Sequence, residues 1–234
     1  YETADSLQAR GERAGPVEQV LRDLRINRIF EGSTQIMHLL VARDAVDTHL
    51  SVAGDIIDPD TSPADKARAA AQAAAFYASW LPGLYAGTGM VPLSFARFGA
   101  LAGHMRFVER ASRKLARSTF YGMARWQGGL EHRQGFLARV VDIGAELFAM
   151  TAVCLRAQMQ TEDGTAPAAT RMANAYCRQA RHTVARLFRE LWANTDATDE
   201  QVAGEVLDGD HTWLEEGILD PSEGTGPWIA QDAP

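Results

Sequence analysis

Arg22-Asp23-Leu24-Arg25-Ile26-Asn27-Arg28-Ile29-Phe30-Glu31-Gly32-Ser33-Thr34-Gln35-Ile36 joins two helical patterns through a glycine corner. Gly15-Pro16 opens the first helix, with Pro near its start, as helix N-termini prefer. Gly32-Ser33 breaks it, and Ser33 or Thr34 is placed to cap the next helix, which is expected to run to about His49. A single acid, Glu31, stands at the junction between Phe30 and a residue without Cβ. The apolar neighbour excludes water, and the glycine lets a substrate approach the backbone. Desolvation raises a carboxylate pKa, which suits a general base for a weak carbon acid. Spacing alone favours a helix-terminal Glu at a tight turn.

Helical periodicity dominates the rest of the chain and strand signals are nearly absent, so the expected fold class is all-α. Asp55 to Pro63, with Pro59 and its aspartates, reads as a linker. Ser62-Pro63-Ala64-Asp65 then resembles a fresh helix start, leading into an Ala-rich stretch. Three long amphipathic patterns follow. Phe107, Ala111, Leu115 and Met123 mark the first. Phe136, Val140, Ile143, Leu147, Met150 and Cys154 mark the second, and Met172, Ala175, Tyr176, Ala180, Val184, Leu187 and Leu191 the third. Short loops at Gly128-Gly129 and Asp163 to Pro167 make neighbours antiparallel. The predicted organisation is 1–50, a linker at 51–63, a helical extension at 64–195 and an acidic tail at 196–234.

With 234 residues, 46% of them apolar, the chain can bury a sizeable core. The net charge of −7 is unevenly spread. Eleven of the 30 acidic residues and no Lys or Arg lie from Asp196 onward, which leaves 19 acids against all 23 basic residues upstream. A mildly basic body with a strongly acidic tail argues against nucleic acid as a partner of the tail. Cys154 and Cys177 sit among apolar residues and read as small buried hydrophobes in a reducing compartment. With no signal pattern and no apolar run long enough to span a bilayer, a cytoplasmic location is expected.

The segment from Pro16 through Arg25-Ile-Asn-Arg-Ile-Phe-Glu-Gly-Ser-Thr-Gln-Ile36 and on to Val41-Ala-Arg43 resembles the C-terminal end of an acyl-CoA dehydrogenase. Its charged, apolar and glycine positions agree in order and spacing over about Tyr1 to Leu50. The resemblance implies that Glu31 removes an α-proton from an acyl-CoA thioester while a β-hydride leaves for FAD. It puts Gly32 against the substrate, with Ser33, Thr34 and Gln35 near the flavin; Ser33 replaces the commoner Thr and keeps the hydroxyl. Gln134-Gly-Phe-Leu-Ala-Arg-Val-Val-Asp-Ile-Gly-Ala-Glu-Leu-Phe-Ala-Met150 and Cys154-Leu-Arg-Ala157 resemble the extra helical domain of the very-long-chain branch. The implied whole is an FAD-dependent α,β-dehydrogenase of long acyl-CoA, of which this chain is a C-terminal portion. The implied partners are the remainder of the same enzyme, a second copy in a homodimer or dimer of dimers, electron-transfer flavoprotein, and the surface of a membrane. The alternative is a non-catalytic helical module for oligomerisation or membrane docking.

Other candidates weigh less. Asp142 and Glu146 share a helix face, but Arg139 one turn earlier favours a structural ion pair over a metal site. The six histidines show no metal-ligand spacing, and no metal is assigned. Asp208 and His211 read as a solvated pair in the tail. Arg106, Arg110, Arg113, Lys114 and Arg117 form a basic stripe, read as a solvated face or as a dock for the acidic tail or an anionic membrane. Ala69 to Ala96 holds no charged residue over 28 positions. Its prolines and glycines predict a flexible apolar loop, buried or facing a membrane.

Overall fold

The computed structural model describes residues 3–15, 17–30, 32–164 and 168–217. All regular structure among them is helical: α1 (Ala4–Ala9), α2 (Val17–Asn27), α3 (Thr34–Ile57), α4 (Pro63–Gly83), α5 (Ala102–Trp126), α6 (Gln134–Glu162), α7 (Ala169–Glu190) and α8 (Asp196–Leu207). Short 3₁₀ turns at Thr88–Met90, Ala96–Leu101 and Gln127–His132 connect the longer elements. Tyr1–Ala193 and Asn194–Pro234 form two compact units.

The core of the first unit is the seam between α6 and α7, closed on another side by α5. On α6 the buried residues Phe136, Val140, Ile143, Leu147, Met150, Cys154 and Ala157 recur at alternating steps of three and four. That repeat keeps one stripe facing a neighbouring helix. Ile143, Met150, Cys154, Cys177 and Val184 have no accessible surface. The two cysteines meet across the seam with Sγ atoms 3.6 Å apart as free thiols. The hydrogen bond with Cys177 and then burial hold the Cys154 thiol in its neutral form. On α7 the buried stripe is Ala173, Cys177, Ala180, Val184 and Leu187. Met172 and Ala175, expected to face inward, lie exposed off that stripe. Small residues at 173 and 180 let α7 approach α6 closely, so the seam selects them over the larger Met172.

Ser62 starts α4 as its sequence implies, its Oγ accepting a hydrogen bond from the Asp65 N–H at 3.2 Å with Pro63 in the first turn. The preceding helix is longer than expected. α3 continues past His49 through Gly54 and Asp55 to Ile57, and Pro59 lies beyond its end. Its face toward the bundle is mostly apolar, at Leu39, Ala42, Val46, Ala53 and Ile56, with His49 among them, and packing overrides the weak local propensity of Gly54.

The uncharged segment is ordered by the basic stripe. Residues 69–83 belong to α4, and the strap that follows is held by arginines of α5. Arg106 donates to the Ser94 carbonyl at 3.0 Å and Arg110 to the Gly89 carbonyl at 2.6 Å. Arg113 and Arg117 donate to the carbonyls of Gly83 and Leu84 at the end of α4. Cations there satisfy the orphan carbonyls and oppose the negative end of the helix dipole. Glu109 accepts from the Gly89 N–H at 2.9 Å and pairs with Arg113. Gly89 must be glycine for close approach, because a Cβ there would lie 2.7 Å from the Arg106 carbonyl oxygen. The stripe therefore serves as a clamp on backbone, with Lys114 stacked over the Phe188 ring at 4.2 Å.

In the second unit, Asp196 and Asp199 occupy the first turn of α8, where negative charge suits the helix dipole. His211 pairs with Glu205 at 3.0 Å, in place of Asp208. Hydrogen bonds from Gln201 and then His211 lower the Glu205 pKa. None of the described helices is long and apolar enough to cross a membrane.

Candidate functional site

The α2–α3 corner carries the motif. Phe30 N–H closes the last turn of α2 on the Ile26 carbonyl at 2.8 Å. Glu31 lies outside the described residues. Gly32 has φ +118°, a conformation that side-chain-bearing residues rarely adopt, and a Cβ there would also press on Met37 Sδ at 3.1 Å. Ser33 is the cap of α3, its Oγ accepting from the Ile36 N–H at 3.4 Å. Thr34 begins the helix half-buried, and Gln35 is exposed beside it. Gly32, Ser33, Thr34 and Gln35 are thus gathered at one helix start, with backbone N–H groups and polar side chains at the positive end of the dipole.

Around this corner the apolar surface is open. Ile29 and Phe30 are 79% and 80% exposed, and Leu24, Ile26, Ile36 and Leu40 are each more than half exposed. Hydrophobic exposure contiguous along α2 and the start of α3 marks a surface built to be covered.

Farther along α3, His49 enters an aromatic cage. Its ring lies 4.9 Å from Trp80 and 6.4 Å from Phe120, and Tyr77 is 4.8 Å from Phe120. Nδ1 stands 3.1 Å from the Tyr77 hydroxyl. Burial lowers the His49 pKa from 6.5 and raises that of Tyr77, so a neutral ring faces a protonated phenol that can donate to it. Sequence reading missed this pair. Its only signal is a histidine on the apolar face of α3, and nothing local says that the uncharged segment 28 residues on supplies the partner.

The pair has a pH consequence. The unfolded chain protonates His49 near 6.5 while the folded chain resists, so stability falls as pH drops below about 6.5 toward the lowered folded value. His49→Gln is expected to remove that part of the pH dependence in urea denaturation between pH 7.5 and 5.5.

Asp142 does not serve α6 alone. Its Oδ1 lies 3.2 Å from His38 Nε2 and ties α6 to α3. Among the described residues no group of three or more His, Cys, Asp or Glu could hold a metal ion.

Residues 105–210 match the family model described as ACAD9/ACADV, C-terminal domain. Along its whole length the chain is also similar to proteins named as probable acyl-CoA dehydrogenases. Among its relatives are the probable acyl-CoA dehydrogenases FadE10 of Mycobacterium bovis and Mycobacterium tuberculosis. Each is 61% identical over 236 residues, an alignment that takes in all of this chain and 36% of the relative. The chain therefore spans about a third of the length of these relatives.

Proposed function

We propose that this chain is the C-terminal portion of an FAD-dependent acyl-CoA dehydrogenase acting on a long acyl chain, with Glu31 as the base. The observation that carries the reading is the Phe30-Glu31-Gly32-Ser33-Thr34 corner, with Gly32 in a conformation reserved for glycine and Ser33 capping α3. The α-proton of a thioester is too weakly acidic for a free carboxylate near neutrality. A base in a corner that the remainder of the enzyme would close to water, with a backbone donor toward the thioester oxygen, would lower that barrier. By the family resemblance Gly32 would stand against the substrate.

FAD, when bound, supplies the hydride acceptor. Ser33, Thr34 and Gln35 would meet it on this side, and their donor set of hydroxyl, amide and helix N-terminal N–H groups suits a polar cofactor. These residues make one wall of such a site. The exposed Ile29, Phe30, Ile36 and Leu40 are the surface that the remainder of the enzyme would cover. In this reading residues 1–50 end the catalytic domain, 51–63 join it to the extension at 64–195, and 196–234 form the acidic tail. Electron-transfer flavoprotein as acceptor, fatty acid β-oxidation as the setting, and peripheral contact with a membrane come from the family resemblance.

Ala145, Phe148, Ala152, Leu155 and Met159 support the oligomeric part of the proposal. They line the exposed side of α6 at steps of three and four, with Phe148 76% exposed. That spacing is the seam of helix–helix association, here facing away from the chain's own core.

FAD titration tests the division of the site. The 234-residue chain alone is expected to bind FAD no tighter than micromolar, since one wall leaves most of a large ligand in water. The full-length polypeptide is expected to retain flavin through purification. Submicromolar binding by the chain alone, or a full-length protein without flavin affinity, contradicts the proposal.

A further inference from the structure

Cys154 on α6 and Cys177 on α7 stand 23 positions apart in sequence, and their sulfurs face each other at 3.6 Å across the seam. Both are free thiols, and neither has any accessible surface. Elsewhere the seam meets its need for small residues with alanine, at Ala157 on α6 and at Ala173 and Ala180 on α7. Close approach explains a small residue at each position. It does not require that both be thiols with their sulfurs in contact.

The geometry is near that of a bond. A disulfide has a sulfur–sulfur length of about 2.05 Å, so from 3.6 Å the pair needs to close by about 1.5 Å, within reach of side-chain rotation. The two thiols are also polarised. A hydrogen bond from Cys154, aided by the Arg181 charge and opposed by burial, lowers the Cys177 pKa. Cys154 keeps its proton. The thiolate is the attacking form of cysteine, which makes Cys177 the sulfur that meets an oxidant and Cys154 the one that resolves it.

We propose that Cys154 and Cys177 are a redox-modification site, a dithiol that a peroxide converts into a disulfide latch across the α6–α7 hairpin. The Cys177 sulfur attacks one peroxide oxygen, the O–O bond breaks, and the other oxygen leaves as water. The Cys154 sulfur then attacks the resulting sulfenic acid, the S–O bond breaks, and a second water leaves. Two thiols give up two electrons and two protons, and one hydrogen peroxide becomes two waters. Local opening of the hairpin admits the oxidant and paces the reaction. A dithiol reductant reverses it by exchange. The latch rests on the seam alone and stands whether or not Glu31 is the base.

The test uses the full-length polypeptide that contains this segment, reduced, exposed to hydrogen peroxide in native buffer, alkylated, and digested with trypsin without reductant. The expected product joins peptides 140–156 and 172–178, with two hydrogens lost, and dithiothreitol separates it. Closing the latch is expected to slow amide hydrogen exchange in α6 and α7 by about tenfold or more, because the hairpin no longer opens. Cys154→Ala and Cys177→Ala are each expected to abolish the joined peptide and the peroxide-dependent slowing. Should either variant fail to fold, oxidised and reduced wild-type protein decide the matter between them. Cysteines that stay open to alkylation while the exposed Met159 and Met172 take up oxygen overturn the proposal. So does a cross-link that forms only in urea, a sulfinic acid in place of the joined peptide, or a cross-link that leaves exchange unchanged.

Discussion

Glu31→Gln in the full-length enzyme is expected to retain flavin and to lose α-proton abstraction. The amide is close to the carboxylate in size, so the corner built by Gly32 and the Ser33 cap keeps its packing. The proton acceptor alone is removed, and loss of a positioned base costs roughly 10²–10⁴-fold in rate. Anaerobic mixing with a long-chain acyl-CoA reads this directly, as flavin absorbance that no longer bleaches on the wild-type timescale. Bleaching within about tenfold of wild type would remove Glu31 from the role, because that loss is smaller than a general base supplies. Substrate binding without reduction would show that the pocket had survived and only the chemistry was lost.

Ile143→Ala carries the largest expected cost to stability. Ile143 sits at the centre of the α6 seam with no accessible surface. Its removal takes away buried methyl groups and leaves a space that a rigid two-helix contact cannot close. Substitutions of this kind cost about 2–5 kcal/mol. The loss is expected in urea denaturation as a lower midpoint at unchanged slope. Ile143→Val should cost only about 0.5–1.5 kcal/mol. Equal effects from the two variants would mean that the seam relaxes around the site.

The bundle was legible because its signals are local. α6 was fully readable, since each buried position from Phe136 to Cys154 lies in one unbroken three-and-four repeat. The Ser33 and Ser62 caps were readable because a hydroxyl before a helical pattern has few other uses. Failures came where a residue's partner is remote. The arginines of α5 read as a solvated face or as a dock for the acidic tail or a membrane, because no local pattern reveals that carbonyls 12 to 33 residues earlier in the chain await them. The end of α3 was misjudged for the same reason. Asp55, Asp58 and Pro59 argue for a loop, but the helix persists to Ile57 where α4 packs on it. The candidate site is legible only in part. Gly32 to Gln35 form a helix corner, as their spacing suggests, whereas the His49–Tyr77 pair joins residues 28 positions apart and leaves no contiguous trace.

α3 is an uninterrupted rod of 24 residues that begins at the Gly-Ser corner and is gripped at His49 by the aromatic cage. The distance from Ser33 to His49 is about 24 Å along its axis, so a tilt of roughly 3° about the cage would sweep the corner through about 1 Å. Displacements of that size at a reacting centre can cost about a hundredfold in rate. Variants that loosen Trp80, Tyr77 or Phe120 would then slow turnover as levers, without any of them coming near the substrate. On the proposed reading, the residues that supply the cage would be the fulcrum that sets where the corner points.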